Sequence, residues 1–121
     1  MDKNVLALAY LGDAVYELAI RTYLLERGIV KVNELQKQAI PFVSAKGQAS
    51  YLTKLLESDF LTEEEKDIVF RARNHKGSRH PKNTDIITYK YATGFEALIG
   101  YLYLKHKQDR IEEIMKEIRG D

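Results

Sequence analysis

The chain has no cysteine among its 121 residues, so neither disulfides nor thiolate metal ligation can contribute to it, and a reducing compartment suits it. Its two prolines lie outside the stretches of helical periodicity, which leaves room for long helices. Its net charge of +1 says little about a polyanionic partner, since dedicated nucleic-acid binders are often more basic overall. Uninterrupted apolar runs are missing too: the stretches 5–20 and 91–104 both contain carboxylates, and the first residues lack the basic-then-apolar layout of a signal peptide. These absences argue against a secreted or membrane-spanning protein and for a cytoplasmic one.

What is present is ordinary for a globular protein, 45% hydrophobic and 31% charged. The length fits one core, and no repeat, low-complexity tract or Gly/Ser linker divides it, so a single domain over 1–121 is expected. The charge is segregated. No acid occurs from Ile68 to Thr84, where Arg71, Arg73, Lys76, Arg79 and Lys82 supply positive charge beside His75 and His80. Glu63, Glu64, Glu65 and Asp67 balance that block from just upstream.

The apolar pattern is helical throughout, and the expected class is all-α. A first helix runs from about Asn4 to Glu26 and stops at Gly28, which readily takes a left-handed cap. Asn33 with Gln36 reads as a capping box for a short helix that ends before Pro41. A third helix spans about Ser44 to Glu57, with Leu52, Leu55 and Leu56 at helical spacing. Thr62 with Glu65 is a cleaner capping box, opening a helix that frays near Asn74. Residues 75–84 read as a loop. A long helix follows from Asp85 to about His106, and a last one over 109–119 puts Ile111, Ile114, Met115 and Ile118 on one stripe.

Asp13 and Glu96 stand out. Asp13 lies in Val5-Leu6-Ala7-Leu8-Ala9-Tyr10-Leu11-Gly12-Asp13-Ala14-Val15, and Glu96 in Tyr91-Ala92-Thr93-Gly94-Phe95-Glu96-Ala97-Leu98-Ile99-Gly100-Tyr101-Leu102. Both helices are apolar nearly all round, so both carboxylates are expected to be buried on most sides. A carboxylate there costs several kcal/mol unless paired or bound to a cation, and neither run holds a matching Lys or Arg. A magnesium or manganese ion between the two helices resolves that conflict with hard oxygen ligands. Ala9, Gly12, Ala92 and Gly100 are small enough to let the helices approach. The plainer alternative is a solvated, ion-paired stripe of Asp13, Glu17 and Arg21 at four-residue spacing, with Glu96 at an edge.

The run Leu11-Gly12-Asp13-Ala14-Val15, followed some eighty residues later by Phe95-Glu96-Ala97-Leu98-Ile99-Gly100, resembles the two signature helices of the ribonuclease III catalytic domain. Phe42 to Ala49, the Arg71–Asn74 corner and Pro81 to Asp85 look like its compact branch, Mini-ribonuclease III, which lacks a double-stranded-RNA-binding domain. The resemblance implies an all-helical homodimer whose two sites flank a valley for duplex RNA. It implies magnesium dependence, with manganese able to substitute, and products with 5′-phosphate and 3′-hydroxyl ends. It also implies cytoplasmic trimming of the large-subunit (23S) ribosomal RNA precursor, with a ribosomal protein as a possible aid in presenting the substrate. Asp13 and Glu96 become the metal-binding catalytic pair. The broad family pattern has a Glu and an Asp where this chain has Ala9 and Thr93, so the site is reduced to two acids, and weaker cation binding follows.

In this scheme the cation activates a water and polarises the scissile phosphate. Thr93, one turn from Glu96, is assigned to orienting water, and Glu17, one turn from Asp13, to supporting it or to pairing with Arg21. Lys46, Arg71, Arg73, Lys76, Arg79 and Lys82 are the expected RNA phosphate contacts, because duplex RNA is recognised chiefly through shape and backbone. A His-Asp metal centre is disfavoured, as no His-Asp dipeptide occurs and His75, His80 and His106 read as surface residues. Tyr10, Tyr16, Tyr23, Tyr101 and Tyr103 read as core or interface rings. The competing class is a non-catalytic RNA-binding or ribosome-associated helical module that kept the fold and lost the chemistry.

Overall fold

A computed structural model describes residues 4–76 and 85–120. Along them the chain forms α1 (Val5–Glu26), α2 (Val32–Val43), α3 (Ala45–Glu57), α4 (Glu63–Arg73), α5 (Ile86–Leu104) and α6 (Gln108–Arg119), with no strand among the described residues. α5 is the axis of the fold. Its residues from Ala92 to Leu102 are buried apart from the half-buried Glu96, because α1, α3 and α4 pack around it. α2 covers part of α1, and α6 docks on α5 and α3 through Ile111, Ile114, Met115 and Ile118, the stripe its sequence spacing specified.

Local chemistry sets the helix ends. α1 finishes with Gly28 at φ 91°, its N–H bonded to the Leu25 carbonyl and that of Ile29 to the Leu24 carbonyl. That pair of bonds satisfies two carbonyls the helix would otherwise leave open. Asp59 and His106 take the same left-handed position after α3 and α5. Thr62 and Glu65 form the expected capping box at the start of α4.

α2 departs from expectation twice. It begins at Val32 with Lys31 at the cap and no side-chain capping bond, so Asn33 lies inside the helix and the Asn33–Gln36 box does not form. It also continues through Pro41 to Val43. Proline removes one N–H and crowds the carbonyl four residues back, but here it sits in the last turn, where docking outweighs that loss. Phe42 packs against Tyr23 and Tyr51 at ring distances of 5.9 and 6.2 Å, and its carbonyl accepts the Tyr16 hydroxyl at 2.9 Å. The expectation of an α1 apolar face buried all round is corrected as well: Tyr10, Asp13, Ala14 and Leu18 are exposed. α5, α2 and α4 cover the other sides of α1, and these four residues lie on the side left open.

Candidate active site

Two glycines build the site. A Cβ on Gly12 would lie 1.7 Å from the Glu96 carbonyl oxygen, and one on Gly100 would lie 2.0 Å from the Leu8 carbonyl oxygen. No side chain fits at either place, so α1 and α5 cross with their backbones in contact. Ala9 and Ala92, both buried, extend the small-residue surface. The crossing puts Asp13, the residue after Gly12, beside Glu96. Tyr16, one turn on from Asp13, packs edge-on against Phe95 with centroids 5.0 Å apart and fixes the rotation of α1 on α5.

The two carboxylates are neighbours with different surroundings. Asp13 is exposed, contrary to the expectation of burial, while Glu96 is half-buried. Loss of hydration, then the Asp13 carboxyl beside it, push the Glu96 carboxyl from 4.5 up to about 8. Glu17 adds a smaller repulsion, and the Gln48 amide works in the opposite direction. Among the described residues no Lys or Arg pairs with Asp13 or Glu96. Glu17 does not share that condition, because Arg21 Nε donates to it at 3.2 Å.

Thr93 lies one turn before Glu96 on α5. It is 5% exposed, and its hydroxyl donates to the Tyr89 carbonyl at 3.0 Å, so only its acceptor lone pairs remain for another partner. Of the basic residues, Lys46 and Lys76 are exposed. Arg71 is engaged with Asp67, its Nε at 3.1 Å. Arg73 lies over the Phe70 ring at 4.6 Å and the Tyr91 ring at 5.5 Å. Arg79 and Lys82, with His80, fall outside the described residues. His106 is the left-handed cap of α5, and no group of three or more His, Asp or Glu able to hold a metal occurs among the described residues.

Sequence reasoning overlooked Gln48. It shares a face of α3 with Leu52 and Leu55, four and seven residues on, and all three are buried. A polar residue on that otherwise leucine-lined stripe was the available signal. Its side-chain amide donates to the Val43 carbonyl at 3.4 Å, and its presence opposes the rise at the Glu96 carboxyl.

Comparison with known proteins follows the same lines. A family model of the ribonuclease III domain matches residues 6–107. The chain is 49% identical over 112 residues to a Mini-ribonuclease 3 of Enterococcus faecalis, covering 93% of this chain and 85% of that one. It is 51% identical over 114 residues to a Mini-ribonuclease 3 of Brevibacillus brevis, covering 94% and 84%. A crystal structure of a protein from Fusobacterium nucleatum matches with a TM-score of 0.84 at 38% identity, over 96% of this chain and 91% of that one.

Proposed function

The chain belongs to the ribonuclease III family, beside the Mini-ribonucleases 3, and is an endoribonuclease; from that premise we propose that it cuts duplex RNA at a magnesium-dependent site formed by Asp13 and Glu96. The observation that carries this reading is the adjacency of the two carboxylates where α1 crosses α5, with Glu96 pushed up to about 8 by burial and by Asp13 and with neither paired to a Lys or Arg among the described residues. The donor set fits a hard divalent ion. Magnesium keeps several waters and commonly takes only one or two protein carboxylates together with substrate phosphate, and manganese accepts the same oxygens. Such an ion, when bound, supplies Lewis acidity toward a phosphate oxygen and lowers the pKa of water.

The chain's own residues divide the remaining work. Asp13, on the open side of the pair, faces the direction from which a phosphodiester arrives. Glu96 closes the inner side, held there by the contact of α1 with α5. Glu17 adds negative field at the edge while Arg21 holds its carboxylate, and an accepting lone pair of Thr93 suits the orientation of water. Lys46 and Lys76 meet phosphates directly. Arg71 and Arg73 do so by exchanging Asp67 and the aromatic rings for the backbone of the RNA, and Arg79 and Lys82 join them on sequence grounds.

The same proposal includes a homodimer, cytoplasmic maturation of the 23S ribosomal RNA precursor with a ribosomal protein presenting it, and 5′-phosphate and 3′-hydroxyl ends. Its support for the dimer is the apolar stripe on the helix that bears Asp13, where Tyr10 is 85% and Leu18 67% exposed. Incubation of purified protein with a defined RNA duplex, with and without magnesium, tests the core of it. Magnesium-dependent cleavage is expected, slowed about a thousandfold in Asp13→Asn, which removes one of only two protein ligands. A folded Asp13→Asn protein cutting at the normal rate would refute the site.

A further inference from the structure

Tyr16 is fully buried, and a buried phenol needs a hydrogen-bond partner. It finds one 26 residues away: its hydroxyl donates to the Phe42 carbonyl at 2.9 Å. That carbonyl lies in the last turn of α2, where the helix itself supplies no donor. Among the described residues this is the one side-chain hydrogen bond that joins α1 to α2. The Tyr16 ring is held from another side by Phe95, edge-on at 5.0 Å. Phe95 immediately precedes Glu96, and Tyr16 lies one turn after Asp13. One side chain therefore ties the two carboxylate-bearing helices to the end of α2.

Past Phe42 the chain turns stiffly into α3. Ser44 closes α2 and caps α3, its Oγ accepting the Gly47 N–H at 3.0 Å. A Cβ on Gly47 would stand 2.1 Å from the Pro41 carbonyl oxygen, so the two helices meet backbone to backbone. Lys46, the second residue of α3, is exposed at this turn. Val43 and Glu17 line one groove between α1 and α2, which sets the junction beside the turn of α1 that follows Asp13. A lysine is a point charge on a flexible stem, so the phosphate it meets depends on where its backbone is held. We propose that Tyr16 is a positioning residue for Lys46: its hydroxyl holds the α2–α3 junction against the helix that carries Asp13, so that the lysine meets the backbone of an RNA seated at the carboxylates. This rests on the reading of Lys46 as an RNA phosphate contact.

The test is the salt dependence of affinity for an RNA duplex, without magnesium so that nothing is cut, in wild type, Lys46→Ala, Tyr16→Phe and the double variant. Phenylalanine keeps the ring on Phe95 and removes only the hydroxyl. A general loss of stability does not change how many phosphates the folded protein neutralises, so the slope reads position and not folding. Lys46→Ala is expected to lower the slope of log affinity against log salt by about 1 unit. Tyr16→Phe is expected to lower it nearly as much, and the double variant to add little more, because both remove the same contact. A wild-type slope in Tyr16→Phe with a fall in Lys46→Ala overturns the positioning role and leaves the contact standing. So does a fall in the double variant equal to the sum of the two. A wild-type slope in Lys46→Ala overturns the contact and the proposal with it. A measurement on the unsubstituted protein covers the case in which Tyr16→Phe fails to fold. The Tyr16 hydroxyl proton should remain slow to exchange when the duplex is bound, and exchange quickened by RNA would show the bond broken in the complex and overturn the proposal.

Discussion

Glu65 and Glu96 are both drawn out of water, and their surroundings pull them in opposite directions. Glu65 is 5% exposed and has its own cation: Arg110 donates to its two oxygens at 2.8 Å each. The same carboxylate accepts the Thr62 N–H at 2.9 Å as half of the capping box, and Arg110 also donates to the Phe60 carbonyl at 2.8 Å while lying 4.5 Å over the Phe60 ring. Burial by itself raises this carboxyl, but the bonds from Arg110 and Thr62 win and hold it below its ordinary value. At Glu96 burial and Asp13 act together, and the one opposing influence, from the neutral Gln48 amide, is weaker. The difference separates a carboxylate that ties elements together from one with no cationic side-chain partner among the described residues.

Four experiments break or sharpen that contrast. Glu65→Ala should have the largest effect on stability, a loss of about 4 kcal/mol in urea unfolding, since it removes the buried carboxylate that Arg110 grips with two bonds and opens the capping box. It should leave manganese binding at the other site intact. Gly12→Ala comes next, at about 3 kcal/mol, because its methyl meets backbone rather than a yielding side chain. Unlike Glu65→Ala it should abolish RNA cleavage in whatever protein remains folded, by separating α1 from α5.

The third is a pH profile of metal-free stability. A carboxyl whose folded pKa is above its unfolded one keeps its proton in the native state after the unfolded chain has released it, so native stability falls as pH rises. For Glu96 that window runs from 4.5 to about 8. The fall should be on the order of 5 kcal/mol at most, and Glu96→Gln should flatten it. Glu65 works with the reverse sign: its contribution is full above its unfolded pKa and is lost as pH falls further. A wild-type profile parallel to that of Glu96→Gln between pH 5 and 8 would contradict the contrast. The smallest effect is expected from Lys46→Ala with Lys76→Ala, which should reduce the slope of log affinity for duplex RNA against log salt by about 1–2 units.

The helices of this protein were largely legible because its stops are local chemistry. Gly28, the Thr62–Glu65 box and the isoleucine stripe of α6 can each be recognised within a few residues. α2 was misjudged because its start and its passage through Pro41 are decided by docking, with Phe42 seated between two tyrosines and its carbonyl on Tyr16, none of which is near in sequence. At the site, the conflict of acids in apolar helices with small residues nearby pointed to Asp13, Glu96, Gly12 and Gly100 together. The exposure of Asp13 was not legible, since the apolar residues around α1 do not reveal which of them the protomer leaves uncovered. Gln48 escaped notice because its burial depends on how α3 packs, a tertiary fact, although its place on a leucine stripe marked it as unusual.

The most direct measurement is the thermal unfolding midpoint of chelator-treated, RNA-free protein at pH 8 as magnesium is added. If Asp13 and Glu96 jointly hold the ion, the wild-type midpoint climbs with magnesium concentration as binding to the native state requires. Glu65→Ala starts lower and climbs by the same amount, while Asp13→Asn and Glu96→Gln stay flat. A midpoint that rises in Glu96→Gln as steeply as in wild type would place the cation elsewhere and contradict the account.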